Sequence, residues 1–365
     1  MLSDPVLSSN ILFFCILCCC VQAGHLNGVK NGEELREAYE SNQPKVVQSM
    51  TKFSQSKPLY DALSTIEKQW EEEKGDDDSP SFLMQQKRRA VENSLLGMKL
   101  GGVGLEGEEK ERFNEIKQRL AKLSTSFSNN VLDSTKAFSH IVEDPKLMEG
   151  VPESAKGLWA SSYIQHMKSE AEKKGEEAPE LDLKEVTKSG PWRITLDFPS
   201  YLPAMSHIRD RNLRETIYKA NIQRASENSN DGEKNNVPLI YEILTLKQEM
   251  AKMLGFSNYA ELSLAKKMAP SVEAVTELTD LMAEKAIPAA KKELEEVTAL
   301  ARSEGGEEYA TDKLEKLEPW DVTFWVRTSA KPVTVGWFSP FIGIFPNSYH
   351  NFFFSKLFCY IERTS

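Results

Sequence analysis

Apolar residues recur at helical spacing through the middle of the chain. Between residues 107 and 138 they step by three and four positions, and Glu, Lys, Arg and Asn fill the opposite face. The residues of this stripe are Phe113, Ile116, Leu120, Leu123 and Phe127. Because the pattern continues without proline, it predicts one long helix from about Glu106 to Ile141. A helix packed within its own domain is favoured over a coiled coil that binds a partner.

Proline and glycine mark the ends of further helices. Pro44 and Pro58 each stand where a helix can begin, since proline is tolerated in the first turn. Residues 237–256 form a second strong amphipathic pattern, which Gly255 is placed to end. These signals predict a chain built mainly from helices.

Another long helix is predicted after residue 271. Ser271 can cap its N-terminus, Pro288 introduces a kink, and the two glycines at 305–306 end it. One short strand is predicted at residues 192–198, where polar and apolar positions alternate. The fold class predicted from these patterns is mainly α.

Two charged segments that contain Gly or Pro are predicted to be loops, residues 75–81 and 169–182. The run Asp76–Asp78 suggests comparison with a calcium-binding loop. The ligands of an EF-hand loop alternate along the sequence and end in a Glu at position 12, and that spacing is absent here. A solvated loop is therefore the favoured interpretation.

The start of the chain differs from the helical middle. Residues 1–23 hold an unbroken apolar run from Ile11 to Val21, which is shorter than the roughly 20 residues that cross a bilayer. The run is similar to the apolar core of a secretory signal, but no Lys or Arg precedes it. We therefore interpret residues 1–23 as an apolar leader outside the main domain, with a signal function as the less favoured alternative.

The end of the chain changes character after Trp325. Residues 326–365 contain ten aromatic residues and only five charged ones, and Gly and Pro interrupt them repeatedly. This composition predicts a poorly ordered tail with short strand-prone segments. The helical domain accordingly spans residues 24–325.

Net charge and cysteine placement narrow the class of protein. The formal net charge is −10, which disfavours binding to nucleic acid or to an anionic membrane surface, because both attract cations. All five cysteines lie in the two ends of the chain, at Cys15, Cys18, Cys19, Cys20 and Cys359. The domain between them therefore has no disulfide framework and no thiolate metal site, as in proteins of a reducing compartment.

Sequence motifs that carry catalysis are absent. The five histidines are His25, His140, His166, His207 and His350, and no two of them are close enough to form an HExxH element. The sequence also has no nucleophile elbow, phosphate-binding loop or dinucleotide-binding glycine motif. We therefore assign no catalytic, cofactor-binding or metal-binding residue from the sequence.

Several stretches together resemble one family of peptidases. They begin with GHLNGVKNGEELREAYESNQPKVV and end with LEPWDVTFW, and they lie in consistent order at residues 24–47, 113–138, 191–220, 244–270 and 317–325. These stretches resemble the zinc metallo-oligopeptidases of the thimet oligopeptidase and neurolysin family, in particular the oligopeptidase A branch. The resemblance implies the N-terminal helical half of a two-lobed fold with a channel that admits short peptides.

The same resemblance implies zinc-dependent endopeptidase chemistry. In the family, two histidines of an HExxH helix and a further Glu hold zinc, and the Glu within the motif is the general base for the zinc-bound water. None of these residues can be placed on this sequence. We therefore expect a chain truncated before the zinc motif, which binds no zinc and is catalytically silent by itself. The alternative is a non-catalytic peptide-binding or regulatory fragment that pairs with the full-length enzyme.

The family likeness also sets the expected location and partners. We expect a cytoplasmic protein, with chloroplast or mitochondrion as the alternative location. Short peptides are the ligands of the family, and we expect neither a membrane nor a nucleic-acid partner. The sequence does not fix the oligomeric state.

Overall fold

The computed structural model describes residues 21–72, 81–229, 234–310 and 316–329. Most of them are helical, which confirms the mainly α class. The helices are α1 (Glu33–Ser54), α2 (Lys57–Glu72), α3 (Phe82–Leu100), α4 (Gly107–Ala137), α5 (Glu153–Lys174), α6 (Leu183–Ser189), α7 (Phe198–His207), α8 (Arg211–Ile222), α9 (Val237–Met253), α10 (Tyr259–Leu264), α11 (Val272–Glu304) and α12 (Pro319–Ser329). Residues 21–29 are helical as well. No helix within the described ranges is long and apolar enough to cross a membrane.

The described residues form two compact units. Unit 1 comprises those up to Leu132 and those from Asn235 to Glu277, and unit 2 comprises those from Asp133 to Lys234 and from Leu278 onward. Each unit has a buried apolar cluster of its own.

The core of unit 1 forms where α4 packs against α9. Ile116 and Leu123 of α4 are buried together with Leu246 of α9, which confirms the apolar stripe read from the sequence. Two solvent-exposed ion pairs link the same helices, and such pairs add alignment more than stability. They are Arg112–Glu249 and Arg119–Glu242, each with two N–H···O bonds of 2.5–3.0 Å.

The core of unit 2 surrounds a two-stranded antiparallel sheet. Its strands are β1 (His140–Val142) and β2 (Trp192–Ile194). The indole rings of Trp159 and Trp192 are fully buried in this core. Trp159 Nε1 donates to Ser200 Oγ at 3.0 Å, so the polar atom of this large ring is satisfied inside the core.

Local end signals in the sequence are confirmed. Pro58 is the second residue of α2. Gly255 follows α9 with a φ of +83°, a left-handed conformation that favours glycine. Ser271 Oγ accepts a hydrogen bond from the Ala274 N–H at 3.2 Å at the start of α11, and this helix ends at Glu304, before the two glycines.

Two predicted helix ends are wrong. The helix predicted to reach Ile141 ends at Ala137, because the chain then enters β1 and pairs with β2. The segment 169–182, predicted to be a loop, is helical as far as Lys174. Gly175 ends that helix with a φ of +69°, so only the rest of the segment leaves the helix.

The strand predicted at residues 192–198 is also shorter in the structure. β2 ends at Ile194, because the backbone N–H of Thr195 donates to Ser200 Oγ at 2.9 Å instead of to a neighbouring strand. A new helix, α7, already begins at Phe198. The alternating pattern therefore marks the strand but overstates its length.

Pro44 lies inside α1 and not at its start, so that prediction is wrong. Proline removes one helical hydrogen bond, yet α1 continues through it. Side chains of the preceding turn bind α4: Gln43 Nε2 donates to Thr125 Oγ1 at 2.7 Å, and Glu40 Oε1 accepts from Asn129 Nδ2 at 2.8 Å. These contacts offset the local penalty of the proline.

Three other predictions fall largely outside the described residues. They are the loop at 75–81 apart from Ser81, most of the leader at 1–23, and the tail after Ser329. Ser81 caps α3, since its Oγ accepts from the Met84 N–H at 3.3 Å.

Candidate functional site

A fully buried arginine and a fully buried aspartate form the most polar part of the unit 2 interior. Arg214 of α8 and Asp321 of α12 both have side-chain exposures of 0%, and Arg214 Nη2 donates to Asp321 Oδ1 at 2.9 Å. The guanidinium carries five N–H donors, and each of them has an acceptor. The acceptors are Asp321 Oδ1, Tyr309 Oη and the carbonyl oxygens of Ile208, Arg209 and Trp320.

The carboxylate of Asp321 is satisfied to the same degree. It accepts from Arg214, from Arg211 Nη2 at 2.9 Å, from Tyr309 Oη at 2.9 Å and from the Glu318 N–H at 3.2 Å. The carboxylate raises the pKa of Arg211, while burial raises the pKa of the Tyr309 hydroxyl. The side chains of Arg214 and Asp321 thus each have charged and neutral hydrogen-bond partners, which offset the cost of burying them.

We call Arg211, Arg214, Tyr309 and Asp321 the buried cluster. It joins three segments that lie far apart in sequence: α8, the 3₁₀ turn Gly306–Tyr309 and the first turn of α12. These residues are not among those predicted from the sequence. The available signal was an Arg-x-x-Arg spacing, which places two arginines on one helical face, together with an Asp set among the aromatic residues of LEPWDVTFW.

A cationic pocket lies beside the buried cluster in unit 2. It encloses about 520 Å³, within the 300–1,000 Å³ that is typical of small-ligand sites. We define the cationic pocket by its lining residues, which are Gly150, His207, Arg209, Phe324, Arg327 and Thr328.

The buried cluster holds two walls of the cationic pocket in place. Arg214 binds the carbonyl oxygen of Arg209, and its guanidinium carbon lies 4.6 Å from the centre of the Phe324 ring. Gly150, which also lines the pocket, has a φ of +82°, and a Cβ built there would stand 3.4 Å from Arg209 Nε. The backbone at Gly150 therefore approaches the Arg209 guanidinium closely.

The charges of the cationic pocket are not neutralised within the described ranges. Neither Arg209 nor Arg327 forms an ion pair with a described carboxylate. Burial, and next the charge of Arg327, lower the pKa of His207, while the backbone of Gly150 opposes the shift. His207 Nδ1 is buried without a hydrogen-bond partner among the described residues. This arrangement suits an anionic ligand.

Unit 1 contains a second, mostly apolar cavity of about 400 Å³. Its lining residues are Val47, Met50, Thr51, Leu100, Phe113, Lys117, Leu120 and Met250. Burial lowers the pKa of Lys117, whose ammonium lies 5.8 Å from the centre of the Phe113 ring. The stem of Lys117 thus covers apolar surface while its charge faces an aromatic ring.

The histidines do not assemble into a metal site in the described parts of the chain. His140 lies in β1, His166 in α5 and His207 at the end of α7. Across the described ranges, no three His, Cys, Asp or Glu side chains are grouped so that they could hold a metal ion. The described residues therefore do not fit a catalytic zinc ion, which needs three such ligands.

Two sequence profiles match the chain. Residues 19–110 match the N-terminal domain of neurolysin and thimet oligopeptidase, and residues 204–335 match peptidase family M3. The chain belongs to peptidase family M3. This assignment confirms the resemblance found in the sequence and makes the chain a relative of zinc-dependent peptidases.

Individual relatives place the chain in the oligopeptidase A branch of family M3. It is 40% identical over 303 residues to the probable cytosolic oligopeptidase A of Arabidopsis thaliana, and 40% identical to the organellar (chloroplastic/mitochondrial) oligopeptidase A of the same plant. It is 36% identical over 302 residues to oligopeptidase A of Escherichia coli. Each alignment covers 82% of this chain but only 34–39% of the relative. The chain thus spans less than two fifths of the length of these relatives.

Proposed function

We propose that this chain is a non-catalytic part of an oligopeptidase A-like peptidase that contacts short peptides and does not hydrolyse them by itself. One observation carries the proposal: 82% of the chain aligns with oligopeptidase A, whereas the sequence contains no HExxH element. Without two histidines spaced by one helical turn, the chain has no means to bind zinc as this peptidase chemistry requires.

The proposed contact with peptides rests on the relatives and on the cavities. An oligopeptidase acts on short peptides, and each unit has a cavity large enough for several side chains. We also propose that the chain works where its relatives are named to work, in the cytosol or in a chloroplast or mitochondrion.

A cleavage assay on the purified chain tests the catalytic half of the proposal. The chain is incubated with internally quenched peptides of about ten residues, with added Zn²⁺ and, in parallel, with a chelator. Full-length oligopeptidase A of Escherichia coli serves as the positive control. We expect cleavage by the control alone, and chelator-sensitive cleavage by the chain would refute the proposal.

A second candidate function is regulation of a full-length oligopeptidase. In this proposal, the helical segments that align with the relatives pair with a complete enzyme of the same family. Adding the chain to full-length oligopeptidase A at equimolar concentration and at large excess tests this. Altered peptide turnover at equimolar chain supports regulation, and unchanged turnover at large excess excludes it.

A further inference from the structure

We propose that the cationic pocket of unit 2 binds a carboxylate group of a short peptide, with the C-terminal carboxylate as the natural ligand. This inference deepens the proposed function and rests on its premise that the chain contacts peptides. It assigns a ligand chemistry to Arg209, Arg327 and His207, which the zinc chemistry of the family does not use.

The positive charge of the cationic pocket is not balanced by the described residues around it. The whole chain carries a net charge of −10, so acidic groups are available to neutralise exposed arginines. Two exposed arginines of unit 1 do pair, Arg112 with Glu249 and Arg119 with Glu242. Arg209 and Arg327 instead line one cavity without an acidic partner from the described ranges. A ligand that supplies the missing negative charge fits this arrangement.

The shape of the donors in the cationic pocket matches a carboxylate. A guanidinium presents a planar fork of N–H groups that matches a planar carboxylate. His207 lines the same cavity as the two arginines. The Phe324 ring forms an apolar wall of the same cavity, next to which the last side chain of a peptide can pack.

The buried cluster holds the walls of the cationic pocket in place. Arg214 Nη1 donates to the carbonyl oxygens of Ile208 and Arg209 at 2.8 and 2.9 Å. These hydrogen bonds restrain the backbone segment that carries Arg209. The same guanidinium packs against Phe324. Pre-organised walls reduce the ordering that a ligand must impose when it binds.

The experiment compares two peptides that differ only at the C-terminus. A fluorescently labelled octapeptide is prepared as the free acid and as the C-terminal amide, and its binding to the full chain is followed by fluorescence anisotropy. We expect the acid to bind about tenfold more tightly than the amide, since hydrogen bonds to charged groups discriminate by about that factor. A third peptide, with a C-terminal amide and a Glu side chain, shows whether the pocket also binds a side-chain carboxylate or only the terminal one.

Matched variants locate the effect. Arg209→Gln and Arg327→Gln each remove one positive charge from the pocket, and we expect the double variant to lose most of the preference for the acid. Arg327→Lys keeps the charge and should keep part of the preference. The control is Arg89→Gln, which removes the same charge from an exposed position of α3 in unit 1. Because all three arginines are exposed, the variants should melt like the parent chain.

A second measurement reports on the pocket itself. Addition of N-acetylglycine, and not of N-acetylglycinamide, should shift the imidazole NMR signals of His207 at constant pH. Inorganic phosphate is the competing anion. The proposal is overturned if the acid and the amide bind equally or if the preference for the acid survives in the double variant. It is also overturned if inorganic phosphate shifts the NMR signals of His207 and N-acetylglycine does not. Equal binding of both peptides would refute the carboxylate site but not the proposal that the chain contacts peptides. Cleavage of either peptide would instead refute the proposal that the chain does not hydrolyse peptides by itself.

Discussion

Replacement of Asp321 by Asn tests whether the buried cluster holds unit 2 together. The change keeps the size of the side chain but removes its charge, and the new amide places N–H groups near Arg214, which has no exposed surface. Arg211 is 23% exposed and can turn towards water, whereas Arg214 cannot. Removal of one partner from a buried ion pair destabilises proteins by about 3–5 kcal/mol. We expect a loss in this range, because the five bonds of Arg214 leave it no other position.

Urea unfolding followed by tryptophan fluorescence measures this loss. The described tryptophans are Trp70 in unit 1 and Trp159, Trp192, Trp320 and Trp325 in unit 2. With a dependence on urea of about 2 kcal/mol per molar, a loss of about 4 kcal/mol lowers the midpoint by about 2 M. The control is Glu170→Gln, which breaks the exposed pair with Lys173 in α5 of unit 2 and should leave the midpoint close to that of the parent chain.

One result would refute the reasoning about the buried cluster. If Asp321→Asn moves the midpoint no further than Glu170→Gln does, then the buried pair is not essential to the stability of unit 2. A large loss in the variant with a small one in the control would show that burial, and not ion pairing as such, sets the energy.

Two further predictions concern a glycine and a histidine. Gly102→Ala should destabilise unit 1 by about 1–3 kcal/mol, because Gly102 has a φ of +84° and a Cβ there would stand 3.0 Å from the Phe113 ring. The matched control in the same urea assay is Gly104→Ala, whose Cβ meets nothing within 4 Å. Equal losses of stability in the two variants would contradict this reasoning. Unit 2 should lose stability as the pH falls below about 6.5, since the pKa of His207 is lowered in the folded chain and the unfolded chain takes up the proton first. His207→Gln should flatten this dependence when urea midpoints at pH 7.5 and 5.5 are compared, and an unchanged slope would show that His207 is not its source.

Local signals in the sequence predicted the presence of the helices better than the residues at which they begin and end. Ser271 and Gly255 act on the backbone within a few residues, so their roles could be read directly. The end of α4 and the continuation of α1 through Pro44 depend instead on partners far away in sequence, namely β2 and α4. No local pattern contains that information. Tertiary contacts therefore decided the features that the sequence analysis missed.

The candidate site shows the same division in a single basic segment. Arg209, Arg211 and Arg214 lie within six residues of one another, yet they have different tasks. Asp210 caps α8 by accepting from the Leu213 N–H at 2.7 Å, so Arg209 precedes the helix and stays exposed, whereas Arg211 and Arg214 share the helical face that meets Asp321. The position of the cap thus separates one arginine that can meet a ligand from two that stabilise the fold. A composition-based reading counts three equal charges here, and only the start of α8 tells them apart.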